Sequence, residues 1–204
     1  MSNSGPRSLK QSEIGPATDL LAETFEHDPL MLFLAADKGS MLQRPWRFYE
    51  ANIRLGLRDG RVDVLDDMHG IAVWLRPGRT AISPGQLLRS GMLRATLGMG
   101  FASVGRFMAI DREVRPMTKR VVPDAYWLLL FLAVHPARQG QGLGGTLIAP
   151  VLDQADEDGV ACYLESGNEL NLAFYERRGF EVADQVQVPN GPKVWGMIRA
   201  PRTR

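Results

Sequence analysis

The sequence predicts an α/β fold on three observations. Tyr126 to Val134 is a continuous apolar stretch, as a central strand buried on both faces requires. A glycine-rich turn follows it directly, and an apolar helical stripe follows the turn. From residue 126 onward the pattern then reads strand, helix, strand, helix, strand, strand, the alternation of α/β proteins.

Each element has a local cause. Ile14, Ala17, Leu20, Leu21, Thr24 and Phe25 recur at helical spacing, and His27-Asp28-Pro29 breaks that helix. A second helix is expected over Met41 to Leu57, with Pro45 near its first turn. Val62, Val64 and Leu65 begin a strand that pairs with Gly70 to Leu75 through the Asp66-Asp67-Met68-His69 hairpin. Between Pro77 and Pro123, Leu87, Leu88, Met92, Leu93 and Leu97 keep helical spacing, so residues 77–123 read as a helical insertion and a candidate wall of an acceptor pocket. Leu147, Ile148, Val151, Leu152 and Ala155 share one side of the helix after the glycine turn, with Pro150 inside it. Val160 to Glu165 is the next strand, and a helix over Asn168 to Arg178 stops at Gly179. Two strands near Glu181–Val188 and Lys193–Ile198 flank the Pro189-Asn190-Gly191 turn.

Composition narrows the classes. At 204 residues and 45% hydrophobic, the chain buries a full core with no need of disulfide or metal staples. We expect a flexible leader over 1–12 and a single domain over 13–204. The lone Cys162 excludes an internal disulfide, and three scattered histidines give no metal-ligand spacing. A net charge of +1 argues against non-specific nucleic-acid binding. Met1 to Glu13 is polar, without the apolar core of a signal peptide, and the longest apolar run, Ala125 to Val134, is too short to span a bilayer. The expectation is a cytoplasmic protein, monomer or homodimer, with no nucleic-acid or membrane partner.

Chemistry enters at Arg138-Gln139-Gly140-Gln141-Gly142-Leu143-Gly144-Gly145-Thr146. Glycines let a ligand approach the backbone, and the free amides of a helix start favour an anion such as a phosphate or pyrophosphate. A P-loop needs a lysine after its last glycine, and Thr146 stands there instead. Gly140, Gly142 and Gly145 satisfy the dinucleotide fingerprint, and Glu165 falls twenty residues later. That reading requires further βα units, whereas this chain ends in a strand pair.

Val134-His135-Pro136-Ala137-Arg138-Gln139-Gly140-Gln141-Gly142-Leu143-Gly144 resembles the acyl-CoA motif of the GNAT superfamily of N-acetyltransferases. A second match lies downstream, in Leu164-Glu165-Ser166-Gly167-Asn168 and then Asn171-Leu172-Ala173-Phe174-Tyr175-Glu176-Arg177-Arg178-Gly179-Phe180. Trp74-Leu75, Pro77, Trp127, Leu164-Glu165 and Asn171-Leu172 are further similar to the puromycin N-acetyltransferase group. The resemblance implies the GNAT fold, a central mixed β-sheet flanked by helices, and acetyl-CoA as co-substrate, with no metal. It implies cofactor contacts from Leu132, Ala133 and Val134, from Gln139, Gly140, Gln141, Gly142, Leu143, Gly144 and Gly145, and from Asn168, Asn171 and Tyr175. Exposed backbone of Leu132 and Val134 would hold the pantetheine as an added strand does.

Acetyl transfer to an amine also needs proton handling. Tyr175 is the expected general acid, since a phenol with a pKa near ~10 is protonated at neutral pH; the competing reading is a core aromatic beside Phe174. For Asn168 the competing reading is a helix N-cap alone. The apolar strand holds no acid, so Glu165 is the first expected base, against a solvated strand-end carboxylate; Asp28, Glu26 and Asp124 stay open. Cys162 reads as a small buried residue before it reads as a nucleophile, and His135 as part of the turn. Arg138, Arg177 and Arg178 are candidates for steering phosphates or plain surface charges. A small-molecule amine is the expected acceptor, because the insertion and Trp46, Phe48 and Tyr49 suit an enclosing pocket. The alternatives are a protein or peptide N-acetyltransferase and a non-catalytic acyl-CoA sensor.

Overall fold

The computed structural model describes residues 5–35, 44–80 and 101–202. The expected helix start at Met41 and the Leu87 to Leu97 stripe lie outside these residues. Along the described chain run β1 (Arg7–Ser8), α1 (Ile14–Thr24), α2 (Pro29–Leu34), α3 (Arg44–Asp59), β2 (Gly60–Val64) and β3 (Gly70–Leu75). Then come α4 (Phe101–Val121), β4 (Tyr126–Val134), α5 (Leu143–Glu157), β5 (Ala161–Ser166), α6 (Leu172–Glu176), β6 (Glu181–Gln187) and β7 (Lys193–Arg199).

The strands form a mixed seven-stranded sheet in the order β1-β2-β3-β4-β5-β7-β6. β4 and β5 are parallel, and every other pair is antiparallel. β4 thus sits at the centre with neighbours on both edges, which explains its unbroken apolar sequence. One face of the sheet packs under α1 and α3 through Leu21, Tyr49, Ile53, Val64, Ile71 and Val73. The opposite face packs under α5 and α6 through Trp74, Leu147, Ile148, Val151, Leu164 and Phe180. The inserted α4 covers the far end of the first face, where Val114 and Met117 meet Val188 and Val194.

Three expectations need correction. Part of the expected leader is tied down: Arg7 and Ser8 pair with Val64 and Asp63, and Leu9 is buried in the core. The helix expected over Asn168 to Arg178 is instead a 3-10 turn, Glu169–Asn171, followed by the five residues of α6. Finally, two of the three aromatics expected to enclose a pocket, Phe48 and Tyr49, are buried edge-on against Phe131 within the core, and the third, Trp46, donates its indole proton to Asp19 at 2.8 Å.

Candidate active site

The site begins with an irregularity in β4. Its register with β3 shifts between Val73 and Trp74, which pair with Phe131 and Leu129, so Leu130 is extra. Such a bulge bends a strand and strengthens its local twist. Pairing between β4 and β5 ends at Leu129–Leu164, next to the bulge. β4 runs on to Val134 against β3 alone, leaving its other edge open.

The ladder decides which backbone groups face that opening. His135 donates its amide to His69 O at 2.9 Å, so antiparallel alternation turns Ala133 and Phe131 toward β3 and Leu132 and Val134 toward the gap. Ala133, an expected cofactor contact, thus has its backbone engaged and its side chain buried in the core. The Val134 carbonyl accepts from Gln139 Nε2 at 3.0 Å, which folds the turn back onto the strand end.

The four glycines of the turn divide into two pairs. Gly140 and Gly142 have φ of +74° and +79°, and nothing lies within 4 Å of where a Cβ would stand. They serve the backbone, which takes a left-handed conformation that other residues resist. A Cβ on Gly144 would lie 3.1 Å from Phe174, and one on Gly145 would lie 2.5 Å from Arg178 Nη2. These two make room for α6. Among the described residues, the amides of Gly140, Gln141 and Gly142 meet no acceptor. With the amides of Leu143 and Gly144 they form a concave set of donors at a helix start, a ready anion site, whereas the Gly145 amide, an expected cofactor contact, is taken by Gly142 O at 3.0 Å.

Tyr175 lies at the end of α6, 9% exposed, with its ring edge-on to Phe174 and Phe180. Burial pushes its phenol well above the ordinary range, with Arg178 pulling it down and Asp28 pushing it up. It is therefore a protonated donor at any working pH. Arg178 stacks 3.6 Å from the Phe174 ring centroid and donates to Phe174 O.

Asn168 Oδ1 accepts from Leu170 N at 3.1 Å, so the cap consumes its side-chain oxygen. Asn171 is exposed at the start of α6 and makes no capping bond. Asp28 Oδ1 caps α2, accepting from Leu30 N and Met31 N at 2.9 and 3.1 Å. Its charge raises the phenols of both Tyr49 and Tyr175, which lie on opposite faces of the sheet. Leu30 packs on Gly167, so α2 abuts the strand end beyond the split.

Glu165 is the first β5 residue past the split and pairs with Gly196 of β7. Its Oε1 accepts from Thr118 Oγ1 of α4 at 2.7 Å. The residue keeps solvent-accessible surface, yet protein packed around the carboxyl strips its hydration. That desolvation raises its pKa against the downward pull of bonds from Thr118 and Tyr163.

Asp124 precedes β4 at the end remote from the turn, and Glu26 is exposed, as Glu165 is. Cys162 is fully buried, its thiol pushed up to about 12 by burial, so no thiolate is at hand. His135 Nδ1 accepts from Ala137 N at 3.2 Å, which holds the turn. Arg138 reaches Gln141 Oε1 at 3.2 Å, and Arg177 is exposed. Among the described residues no group of three or more His, Cys, Asp or Glu is arranged to hold a metal ion, and no helix is long and apolar enough to cross a membrane. Sequence reasoning missed Thr118, whose bond to Glu165 joins elements distant along the chain and leaves no local signal.

Residues 100–180 match the model of the Acetyltransferase (GNAT) family. The chain is 25% identical to an uncharacterized N-acetyltransferase of Schizosaccharomyces pombe, over 92% of this chain and 79% of that one. Its fold is that of a structure from Corynebacterium glutamicum described as histone acetyltransferase HPA2 and related acetyltransferase, with a TM-score of 0.68, 20% identity, and 98% and 99% of the two chains covered. It is equally that of arylalkylamine N-acetyltransferase 2 from Aedes aegypti, with a TM-score of 0.68, 15% identity, and 97% and 98% coverage.

Proposed function

We propose that this chain, a GNAT-type acyltransferase, moves an acetyl group from acetyl-CoA directly to the primary amine of a small molecule. The observation that carries this reading is the split between β4 and β5, whose open edge leads into the unpartnered amides of Gly140 to Gly142. An extended pantetheine fits an open strand edge, and a pyrophosphate fits a concave set of amides. Bound there, acetyl-CoA supplies an activated acetyl thioester and a thiolate leaving group.

The chain's own groups supply the rest. Leu132 offers its edge amide and carbonyl to the pantetheine, and the Val134 amide, whose own carbonyl accepts from Gln139 Nε2, is the donor for charge growing on the transferred carbonyl oxygen. Glu165 takes the proton of the acceptor ammonium, directly or through one water, so that the nitrogen attacks as a neutral amine. As the new C–N bond forms and the C–S bond breaks, the Tyr175 phenol gives its proton to the sulfur, and the second N–H proton, made acidic by the new C–N bond, returns to the phenolate through water. Asp28 is the second reading for the base, favoured by its electrostatic reach to Tyr175 and by an Oδ2 to which none of the capping bonds runs.

A small acceptor is supported by α4, which covers the far end of the sheet face that carries Glu165 and bonds to it. The arylalkylamine enzyme among the structural neighbours agrees with such an acceptor. Thiol release from acetyl-CoA, measured across an amine panel, tests the reading. Aminonucleosides such as puromycin belong on that panel for the resemblance of Trp127 and Asn171-Leu172, with aminoglycosides, polyamines, arylalkylamines, amino acids and lysine peptides. Turnover confined to one small-molecule class is the expected outcome. Release only with lysine peptides would make the chain a protein acetyltransferase, and tight cofactor binding with no release would make it a sensor.

The base has its own test. Glu165→Gln is expected to lower kcat/KM at neutral pH by ~10²–10⁴-fold and to abolish the acid limb of its pH profile. In the wild type that limb lies above the ordinary carboxylate range, because the Glu165 pKa is raised and only its ionised form accepts a proton. An acid limb that vanishes in Asp28→Asn and survives in Glu165→Gln transfers the role to Asp28.

A further inference from the structure

The Thr118 hydroxyl stands within hydrogen-bond distance of three partners. They are Glu165 Oε1 at 2.7 Å, the Val114 carbonyl at 3.0 Å and the Tyr163 hydroxyl at 3.3 Å. A hydroxyl carries one proton and two lone pairs, so it cannot donate to Glu165 and Val114 at once. The charge on Glu165 decides between them. An ionised carboxylate only accepts, and Thr118 must then donate to it. A protonated carboxyl has its own O–H, which donates to Thr118 Oγ1 and frees the Thr118 proton for the Val114 carbonyl. That carbonyl, one turn back on α4, has a second lone pair to receive it.

We propose that Thr118 is a positioning residue for Glu165, its single hydroxyl proton turning from Glu165 Oε1 to the Val114 carbonyl as the carboxyl takes up the proton of the amine. The proposal rests on Glu165 as the proton acceptor. The only covalent change is at Glu165 and the amine: one O–H bond forms, one N–H bond breaks, and Thr118 merely rotates.

The surroundings hold the hydroxyl in place. Val114 and Met117 anchor α4 on Val188 and Val194, and Arg120 pairs with Asp184 of β6 at 2.6 Å. Tyr163 lies over β7 because Gly196 has no side chain; a Cβ there would stand 2.6 Å from the Tyr163 hydroxyl. Among the described residues, the titratable and charged groups facing Glu165 are Asp111 on α4, Tyr163 on β5 and Tyr126 on β4, while Gly196 on β7 adds none. Asp111 is paired with Arg115 at 2.8 Å, and burial keeps both phenols protonated. Thr118 is therefore the nearest neutral donor able to follow the state of the carboxyl.

The test compares Thr118→Val, which keeps the shape and removes the hydroxyl, with Thr118→Ser, which keeps the hydroxyl. Two readouts are taken on the full chain: the Glu165 carboxyl titration by ¹³C NMR without substrate, and the pH profile of kcat/KM. Thr118→Val is expected to raise both the titration midpoint and the acid limb by about one pH unit, since the lost bond favoured the charged form. Thr118→Ser is expected to restore both. A Glu165 titration unchanged in Thr118→Val overturns the proposal while leaving Glu165 as base. A titration that moves while the acid limb stays fixed removes Glu165 as the proton acceptor, and the role of Thr118 falls with it.

Discussion

Tyr175→Phe is expected to lower kcat by ~10²–10⁴-fold while leaving the affinity for acetyl-CoA within a few-fold of the wild type. The asymmetry follows from the two halves of the side chain. The ring, held edge-on by Phe174 and Phe180, is retained by phenylalanine, so α6 keeps its packing against Gly144. Only the phenolic proton is lost. Without it the thiolate must leave as an anion in a site whose burial already drives the phenol upward. The penalty should shrink for thioesters whose thiol is more acidic, because such a leaving group needs the proton less. A kcat within twofold of the wild type across thioesters would reduce Tyr175 to a core aromatic.

Arg199→Met is expected to have the largest effect on stability, ~3–5 kcal/mol by denaturant unfolding, because it strands a carboxylate. Arg199 of β7 is 3% exposed. It grips Asp156 of α5 with two bonds, 2.7 Å to Oδ1 and 2.6 Å to Oδ2, and its Nε donates to Arg178 O at 3.2 Å. Removing the cation leaves Asp156 with the Arg202 amide alone. The pH dependence has a definite sign. The Arg199 bond holds the Asp156 carboxyl below its ordinary range, so its stabilising contribution is present above the unfolded value of ~3.9 and fades as pH falls through the lower folded value. In Arg199→Met the carboxyl loses that depression, and the gap to the wild type should narrow below about pH 4. Adding Asp156→Leu should recover most of the loss, since no charge is then left unpaired. Recovery absent in the double variant would show that Arg199 acts through packing or through Arg178 O instead.

How much of this was legible in the sequence depends on the range of the cause. β4, the glycine turn, α5 and β5 announce themselves because apolar runs, periodicity and glycine clusters are local. The acetyl-transfer resemblance rests on those same residues. The glycines of the turn look alike in sequence, yet Gly140 and Gly142 answer to backbone conformation, while Gly144 and Gly145 answer to Phe174 of α6 and Arg178 just after it, some thirty residues away. The placing of β7 between β5 and β6 is equally silent, because a hairpin fixes its own pairing but not which arm faces the sheet. Asn168 to Arg178 reads as one helix by its spacing. The Asn168 cap and the turn at Glu169–Asn171 consume its first residues. Arg7 to Leu9 reads as a leader because a two-residue edge strand has too few positions to show alternation. The partnership of Thr118 with Glu165 lies beyond any pattern reading, since it joins the inserted helix to a strand.

The account turns on the split between β4 and β5 holding an acyl-CoA, and amide hydrogen exchange with and without saturating acetyl-CoA tests that most directly. The result predicted is slowed exchange at Leu132 and Val134 and at the amides of Gly140 to Gly142, with a raised Tm and no change at the β1–β2 edge. Unchanged exchange at those amides, together with an unshifted Tm, would contradict the account.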